Sequence, residues 1–157
     1  VSSHGDVDDL DLRILGGLAR DSSVSVPSLA RKMGISASVV YSRIRRLAKR
    51  GVIGGYTITI DGKSLGYAVK AHIGINMDSR RRGHVVAALL KTPGVTGVAE
   101  VTGRFDAFVT LHARSLGEMH DVVSSGIGGI PGVISSESFL EIKSSTNPMP
   151  GITAEAR

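Results

Sequence analysis

The side chains with the most chemical promise in this sequence are cations, and they are crowded into one stretch. Between Asp21 and Asp61 there is no acidic residue, yet Arg31, Lys32, Arg43, Arg45, Arg46, Lys49 and Arg50 all fall there. With a net charge of +5 over 157 residues, the chain is suited to an acidic partner, either a nucleic acid or an anionic membrane surface. Bond-making chemistry is poorly supplied. Cysteine is absent, which removes thiolate nucleophiles, disulfides and thiolate metal sites and suits a reducing compartment. His4, His72, His84, His112 and His120 include no pair at ligand spacing on one helix; His72 and His112 could approach only from neighbouring strands. The glycines are scattered, and Gly126, Gly128 and Gly129 follow a helical segment without the strand that a phosphate-binding loop requires. No catalytic residue, metal or cofactor is expected.

The cations gain meaning from the helix that carries most of them. Ser36 reads as a cap, and the pattern runs to about Arg50, where Gly51 suits a left-handed stop. At ~100° per residue, Val40, Ile44 and Leu47 fall on one stripe, while Ser38, Ser42, Arg45 and Lys49 point the other way, with Tyr41 and Arg46 flanking. A helix of this kind fits the major groove of DNA, its first residues reaching base edges and its later cations reaching phosphates. The expected DNA contacts are therefore Ser36, Ser38, Tyr41, Ser42, Arg45, Arg46, Lys49 and Arg50, with Ser38, Tyr41 and Ser42 as base readers. Arg43 lies beside the apolar stripe, where it either meets DNA or braces the domain through a carboxylate or carbonyl. A solvated amphipathic surface is the plainer alternative for the whole helix. A membrane-surface helix would carry Trp or Phe, and this one carries neither.

Two further helices position that one. Leu10, Ile14, Leu15 and Leu18 recur at helical spacing behind Asp6, Asp8, Asp9 and Asp11, which favour a helix start. Ser25 caps a second helix with Pro27 in its first turn and Leu29, Ala30 and Met33 on its apolar face. The short Gly34-Ile35-Ser36 turn then joins helices two and three as a helix-turn-helix needs, and an alternating, β-branched segment from Tyr56 to Asp61 is expected as the strand of a wing.

A boundary near Gly62 separates this winged helix-turn-helix domain (1–62) from a second domain (63–145). There the pattern predicts a strand from Val69, a helix over Arg80 to Leu90, strands after Pro93-Gly94-Val95 and over Phe105 to Ala113, a helix near Leu116 to Ile127, and a last strand over Val133 to Ile142. Two strand-helix-strand halves, each with a Pro-Gly-Val, match the βαββαβ order of a ferredoxin-like sandwich, so the fold class is α+β. Arg80, Arg81 and Arg82 either add DNA contacts or form a solvated helix start. Residues 146–157, with Pro148, Pro150 and Gly151, read as a flexible tail.

The run Leu10-Asp11-Leu12-Arg13-Ile14-Leu15, then Ser28-Leu29-Ala30, Gly34-Ile35-Ser36, Val40, Arg43, Ile44, Leu47, Gly51-Val52-Ile53, Gly55-Tyr56 and Leu65-Gly66 resembles the leucine-responsive/asparagine-synthetase (Lrp/AsnC, feast-or-famine) regulators. Pro93-Gly94-Val95, Gly103-Arg104-Phe105-Asp106 and Pro131-Gly132-Val133 with Ser136 and Ser138 look like that family's regulatory (RAM-type) domain. The resemblance implies a regulator of transcription that binds double-stranded DNA, forms homodimers by sheet pairing and assembles further into tetramers or octamers. It also implies an amino-acid effector at a subunit interface, held by Gly103, Phe105, Asp106, Ser136 and Ser138, to which the chemistry of the loop adds Arg104 as a carboxylate partner. The family usually has threonine at the two serine positions.

The residues make that site chemically reasonable, since a zwitterion needs donors for its carboxylate and an acceptor such as Asp106 for its ammonium. The alternative is that Gly103 and Asp106 only shape a tight turn. Two other functions remain open at this point: an enzyme resembling haem-biosynthetic decarboxylases of this architecture, and a DNA-packaging protein that senses nothing. A polar, acidic start (Val1 to Asp11) and no bilayer-length apolar segment lead to the expectation of a cytoplasmic, nucleoid-associated protein without a membrane partner.

Overall fold

The computed structural model describes residues 7–152. The chain divides into two units, one of residues 1–59 with 145–157 and one of residues 60–144.

The first unit is built on three helices, α1 (Asp9–Arg20), α2 (Val26–Met33) and α3 (Ala37–Lys49). Each begins where the local chemistry predicts. Asp8 caps α1 in a reciprocal box with Asp11, each carboxylate accepting the other's backbone N–H, and the Ser25 hydroxyl accepts the Ser28 amide at the head of α2. Asp6 lies outside the described residues. Gly34 ends α2 in the left-handed region at φ +69°, which lets α3 start three residues later. Ser36 has the backbone of a helix cap, but its hydroxyl lies 3.1 Å from that of Ser38 and bonds no helix amide. Ile14, Leu29, Ala30 and Val40 form the buried centre, with Leu10, Leu18, Met33 and Ile44 packed around it.

The strand expected over Tyr56 to Asp61 is not formed. The segment is extended but has no ladder partner among the described residues, and Tyr56, Ile58 and Ile60 are exposed. Alternation supplies a strand's pattern, but the strand itself needs a neighbour to satisfy its amides and carbonyls. The tail expected to be loose has a turn at Met149 to Ile152, closed by the Ile152 N–H donating to the Met149 carbonyl at 3.0 Å. Its remainder, 153–157, lies outside the described residues.

The second unit is a four-stranded antiparallel sheet of β1 (Val69–Met77), β2 (Val95–Glu100), β3 (Ala107–Ala113) and β4 (Val133–Leu140), in the order β2-β3-β1-β4. Between them lie α4 (Arg82–Leu89), entered through a 3₁₀ turn at Ser79–Arg81, and α5 (Leu116–Asp121), which continues as a wider π coil over Val122–Ile127. This is the expected ferredoxin-like α+β arrangement. The expected start of the third strand at Phe105 moves to Ala107, because residues 103–106 are taken up by the loop.

Alternation assigns the two sheet faces. Ala71, Ile73, Ile75, Met77, Ala107, Val109 and Leu111 are buried together with Val85 and Leu89 of α4 and Ile127 of the π coil. His72, Gly74, Phe108 and Thr110 belong to the opposite face, away from α4 and the π coil. Ile73 is fully buried at the centre of the covered layer. Replacing it with alanine is expected to cost about 2–5 kcal/mol in denaturant unfolding; a loss below about 0.5 kcal/mol would contradict this placement of the core.

Candidate nucleic-acid interface and effector loop

On α3 the apolar stripe and the charged side separate as the spacing requires. Val40 and Leu47 are fully buried and Ile44 is half-buried, whereas Ser38, Tyr41, Ser42, Arg45, Lys49 and Arg50 are exposed. Arg45 and Lys49 form no ion pair among the described residues. They stand on a surface with Ser38 and Ser42, offering cationic and hydroxyl groups in one row.

Two arginines of the same helix point elsewhere. The Arg43 guanidinium pairs with the carboxylate of Asp8 and, at 3.2 Å, with that of Asp11. Arg46 reaches the other Asp11 oxygen at 2.5 Å. Asp11 is fully buried, so these charge-assisted bonds lock α3 across the start of α1. Of the two roles open to Arg43 from sequence, the structure gives it the brace. Arg46, expected as a phosphate contact, is likewise engaged with Asp11 while its side chain remains 44% exposed. The amphipathic pattern could place these side chains on α3 but could not place the carboxylates of α1 opposite them. The Arg43 hydrogen bond holds the Asp8 carboxyl below its ordinary range, helped by the Asp11 amide.

In the second unit the loop before β3 is tied into the sheet. Gly103 has φ +132°. The Asp106 carboxylate accepts the Met77 amide at 2.9 Å and a guanidinium N–H of Arg82 at 3.2 Å, so it performs the turn-shaping role that competed with ligand binding. Arg82 also pairs with Glu100 at 3.0 Å, which turns that member of the arginine run inward, while Arg80 is 90% exposed. The ring of Phe105 lies over Gly74, where a Cβ would come within 2.7 Å of it; no larger residue fits without moving the ring. Phe105, Phe108 and Phe139, the only phenylalanines of the chain, meet on this face in edge-on and tilted pairs with centroids 5.4–6.2 Å apart.

Arg104 sits above Phe105, 5.2 Å from its centroid, and pairs with Glu137 at 2.7 Å. Ser136 and Ser138 are not brought into this group. They pair with Ile75 and Ile73, whose side chains belong to the helix-covered face, whereas Glu137 pairs with Gly74 beneath Phe105. Sequence reading therefore missed Glu137, Gly74, Phe139 and Arg82. The available signal was period two along β4, which puts Glu137 and Phe139 on one face and both serines on the other. His72 bonds Glu141 at 2.9 Å and His112 faces Lys70 across the strands; no cluster able to hold a metal occurs among the described residues. The Lys70 and then the His72 contacts hold the Glu141 carboxyl below its usual value.

Two family models match this chain, an AsnC-type helix-turn-helix domain over residues 7–48 and an Lrp/AsnC ligand-binding domain over residues 70–149. The chain belongs to the Lrp/AsnC family of transcriptional regulators. It is 34% identical over 120 residues to an uncharacterised HTH-type transcriptional regulator of Pyrococcus furiosus, covering 76% of this chain and 81% of the relative. Its fold superposes on E. coli AsnC with a TM-score of 0.81 at 26% identity, covering 92% and 98% of the two chains. It also superposes on a feast or famine regulatory protein of M. tuberculosis, solved in complex with L-methionine, with a TM-score of 0.80 at 26% identity, covering 91% and 97%. The first unit is thus a helix-turn-helix DNA-binding domain. No helix among the described residues is long and apolar enough to cross a membrane.

The division of labour on α3 has a direct consequence. Asp11→Ala removes a buried carboxylate together with the capping box and is expected to lower stability by about 2–4 kcal/mol, whereas Arg45→Ala changes it by less than about 0.5 kcal/mol; equal losses in thermal unfolding would contradict the brace. Acid acts through Asp8 as well. Its carboxyl is depressed in the folded state, so its contribution is complete above the ordinary carboxylate range and is lost as pH falls through the depressed value. Asp8→Asn should flatten the fall of stability below about pH 4, and an unchanged slope would count against the Asp8–Arg43 pair.

Proposed function

We propose that this regulator reads duplex DNA with the outer face of α3 and responds to an amino acid bound beside its Gly103–Asp106 loop. The observation that carries the DNA reading is the split of α3 into a buried apolar stripe and an exposed row of Ser38, Ser42, Arg45 and Lys49. Ser38, Tyr41 and Ser42 then meet base edges, while Arg45, Lys49 and Arg50 supply sequence-independent attraction to phosphates. Ser36, whose hydroxyl is not used in capping, stands at the same end of the helix and joins the contact. Arg46 reaches phosphate only with the part of its guanidinium that Asp11 leaves unused.

Two features support the effector. The M. tuberculosis relative was solved with L-methionine, and this chain carries an exposed pair of opposite charges, Arg104 and Glu137, over the Phe105 ring. A zwitterion exchanging into that pair gives its carboxylate to Arg104 and its ammonium to Glu137, with an apolar side chain against the phenylalanine cluster. Gly103 supplies the turn and Asp106 holds it, which assigns Asp106 a positioning role. The sheet face with its three phenylalanines is a surface that monomers rarely leave open, and we assign it to pairing with a second copy. Larger assemblies and association with the nucleoid accord with this reading.

Binding to a selected genomic fragment across a salt series tests the DNA face. Replacing Arg45 and Lys49 together with alanine should weaken binding to all DNA and reduce the salt slope by about 2, while Ser42→Ala should alter site preference at an unchanged slope. An unchanged affinity in the double variant would reject α3 as the docking element. Equal affinity of the native protein for random DNA would instead favour a packaging role. For the effector, calorimetry with a panel of L-amino acids should detect binding that Arg104→Ala and Glu137→Gln each weaken by about tenfold or more; binding indifferent to both changes would move the pocket elsewhere.

A further inference from the structure

Beyond this reading, the structure assigns an occupant to the outer face of α1. We infer that the C-terminal segment 146–152 is a strap that docks on the Gly16 and Ala19 side of that helix. The apolar side of α1 packs into the helical core through Leu10, Ile14 and Leu18. Gly16 lies ~200° around the helix from Ile14, on the side that should face water. It is nevertheless buried, although Arg13 and Arg20 on the same side are exposed.

Two adjacent glycines in a helix interior weaken it and call for a packing reason. Gly17 has one within the core, because a Cβ there would come within 2.5 Å of the Leu29 side chain. Gly16 faces the other way, and the residues that line the hollow above it are Thr146, Asn147, Pro148 and Ile152. The outer face of α1 at Gly16 and this segment thus form opposite walls of one hollow.

The strap is shaped by its own sequence. Met149-Pro150-Gly151-Ile152 forms a turn with proline second and glycine third at φ +85°, the pattern of a type II turn, closed by the Ile152 N–H on the Met149 carbonyl. The turn sends Ile152 back towards α1, where it lines a second hollow together with Leu15, Leu18 and Ala19. Ile152 is half-buried there, in contrast to Ile142, which is 98% exposed. Pro148 and Pro150 restrict the free segment, so docking loses less chain entropy than a flexible tail would. The segment follows β4, the strand bearing Glu137 and Phe139, by a few residues, and with it the chain returns from the sheet to the unit in which it began.

Backbone hydrogen exchange on the native protein and three variants tests the strap. Ending the chain at Ser145 should speed exchange of the α1 amides from Gly16 to Arg20 roughly tenfold, and Ile152→Asp should do the same to a smaller degree. Gly16→Leu keeps the whole chain and gives the sharper sign. Leucine is the better helix former and would slow exchange in α1 if its outer face were bare. With a strap in place it must instead expel the segment, speeding exchange in α1 and exposing 146–152 to protease. Unchanged exchange on truncation, or slower exchange in Gly16→Leu, would overturn the inference; neither outcome bears on DNA recognition by α3.

Discussion

The buried carboxylate of Asp11 fixes the direction in which α3 faces. With no water to solvate it, it must hold its guanidinium partners, and Arg43 and Arg46 are the ones supplied. Those bonds cross from the start of α1 to α3 and set the rotation of α3 about its axis, so that Val40 and Leu47 turn into the core and Ser38, Ser42, Arg45 and Lys49 turn out. Removing Asp11 would strip both guanidinium groups of a buried partner and leave the apolar stripe of Val40 and Leu47 as the remaining tie. The basic run is thus divided, with Arg43 and Arg46 holding the helix and Arg45 and Lys49 left exposed, which is the face proposed to meet DNA.

The second unit solves a different problem with related means. Its own helices pack on one side of the sheet, and the other side gathers the three phenylalanines around the bare backbone of Gly74. Asp106 closes the preceding loop by holding the Met77 amide and Arg82, which leaves Arg104 and Glu137 as the charged groups standing over the aromatic cluster. Turn geometry, aromatic packing and an exposed ion pair therefore meet at one place, on the side of the sheet away from the buried layer.

The helical periods, caps and Gly34 turn of the first unit were legible in the sequence because each is decided within a few residues. The same holds for the strand-helix-strand halves, where the alternation along β1 matches its buried side at Ala71, Ile73, Ile75 and Met77. What depended on partners far along the chain was not legible. The tie of Arg46 to Asp11 spans 35 positions, and the pairing of Arg104 with Glu137 spans 33. Ser136 and Ser138 carried suitable hydroxyls, but the register of β4 against β1 put them on the wrong face for Phe105. The segment at Tyr56 to Asp61 had a strand's composition without a strand's neighbour, and the Pro-Gly turn in the tail was read as absence of pattern when its pattern was that of a turn.

The most direct test of the account is hydroxyl-radical footprinting of the full protein with and without duplex DNA, read at Tyr41. That ring is 55% exposed on the outer side of α3. The account predicts that DNA protects Tyr41 strongly while Tyr67 and the phenylalanines of the sheet keep their reactivity. Saturating DNA that leaves Tyr41 as reactive as before would contradict it, since the face held outward by Asp11 would then not be the face that meets the duplex.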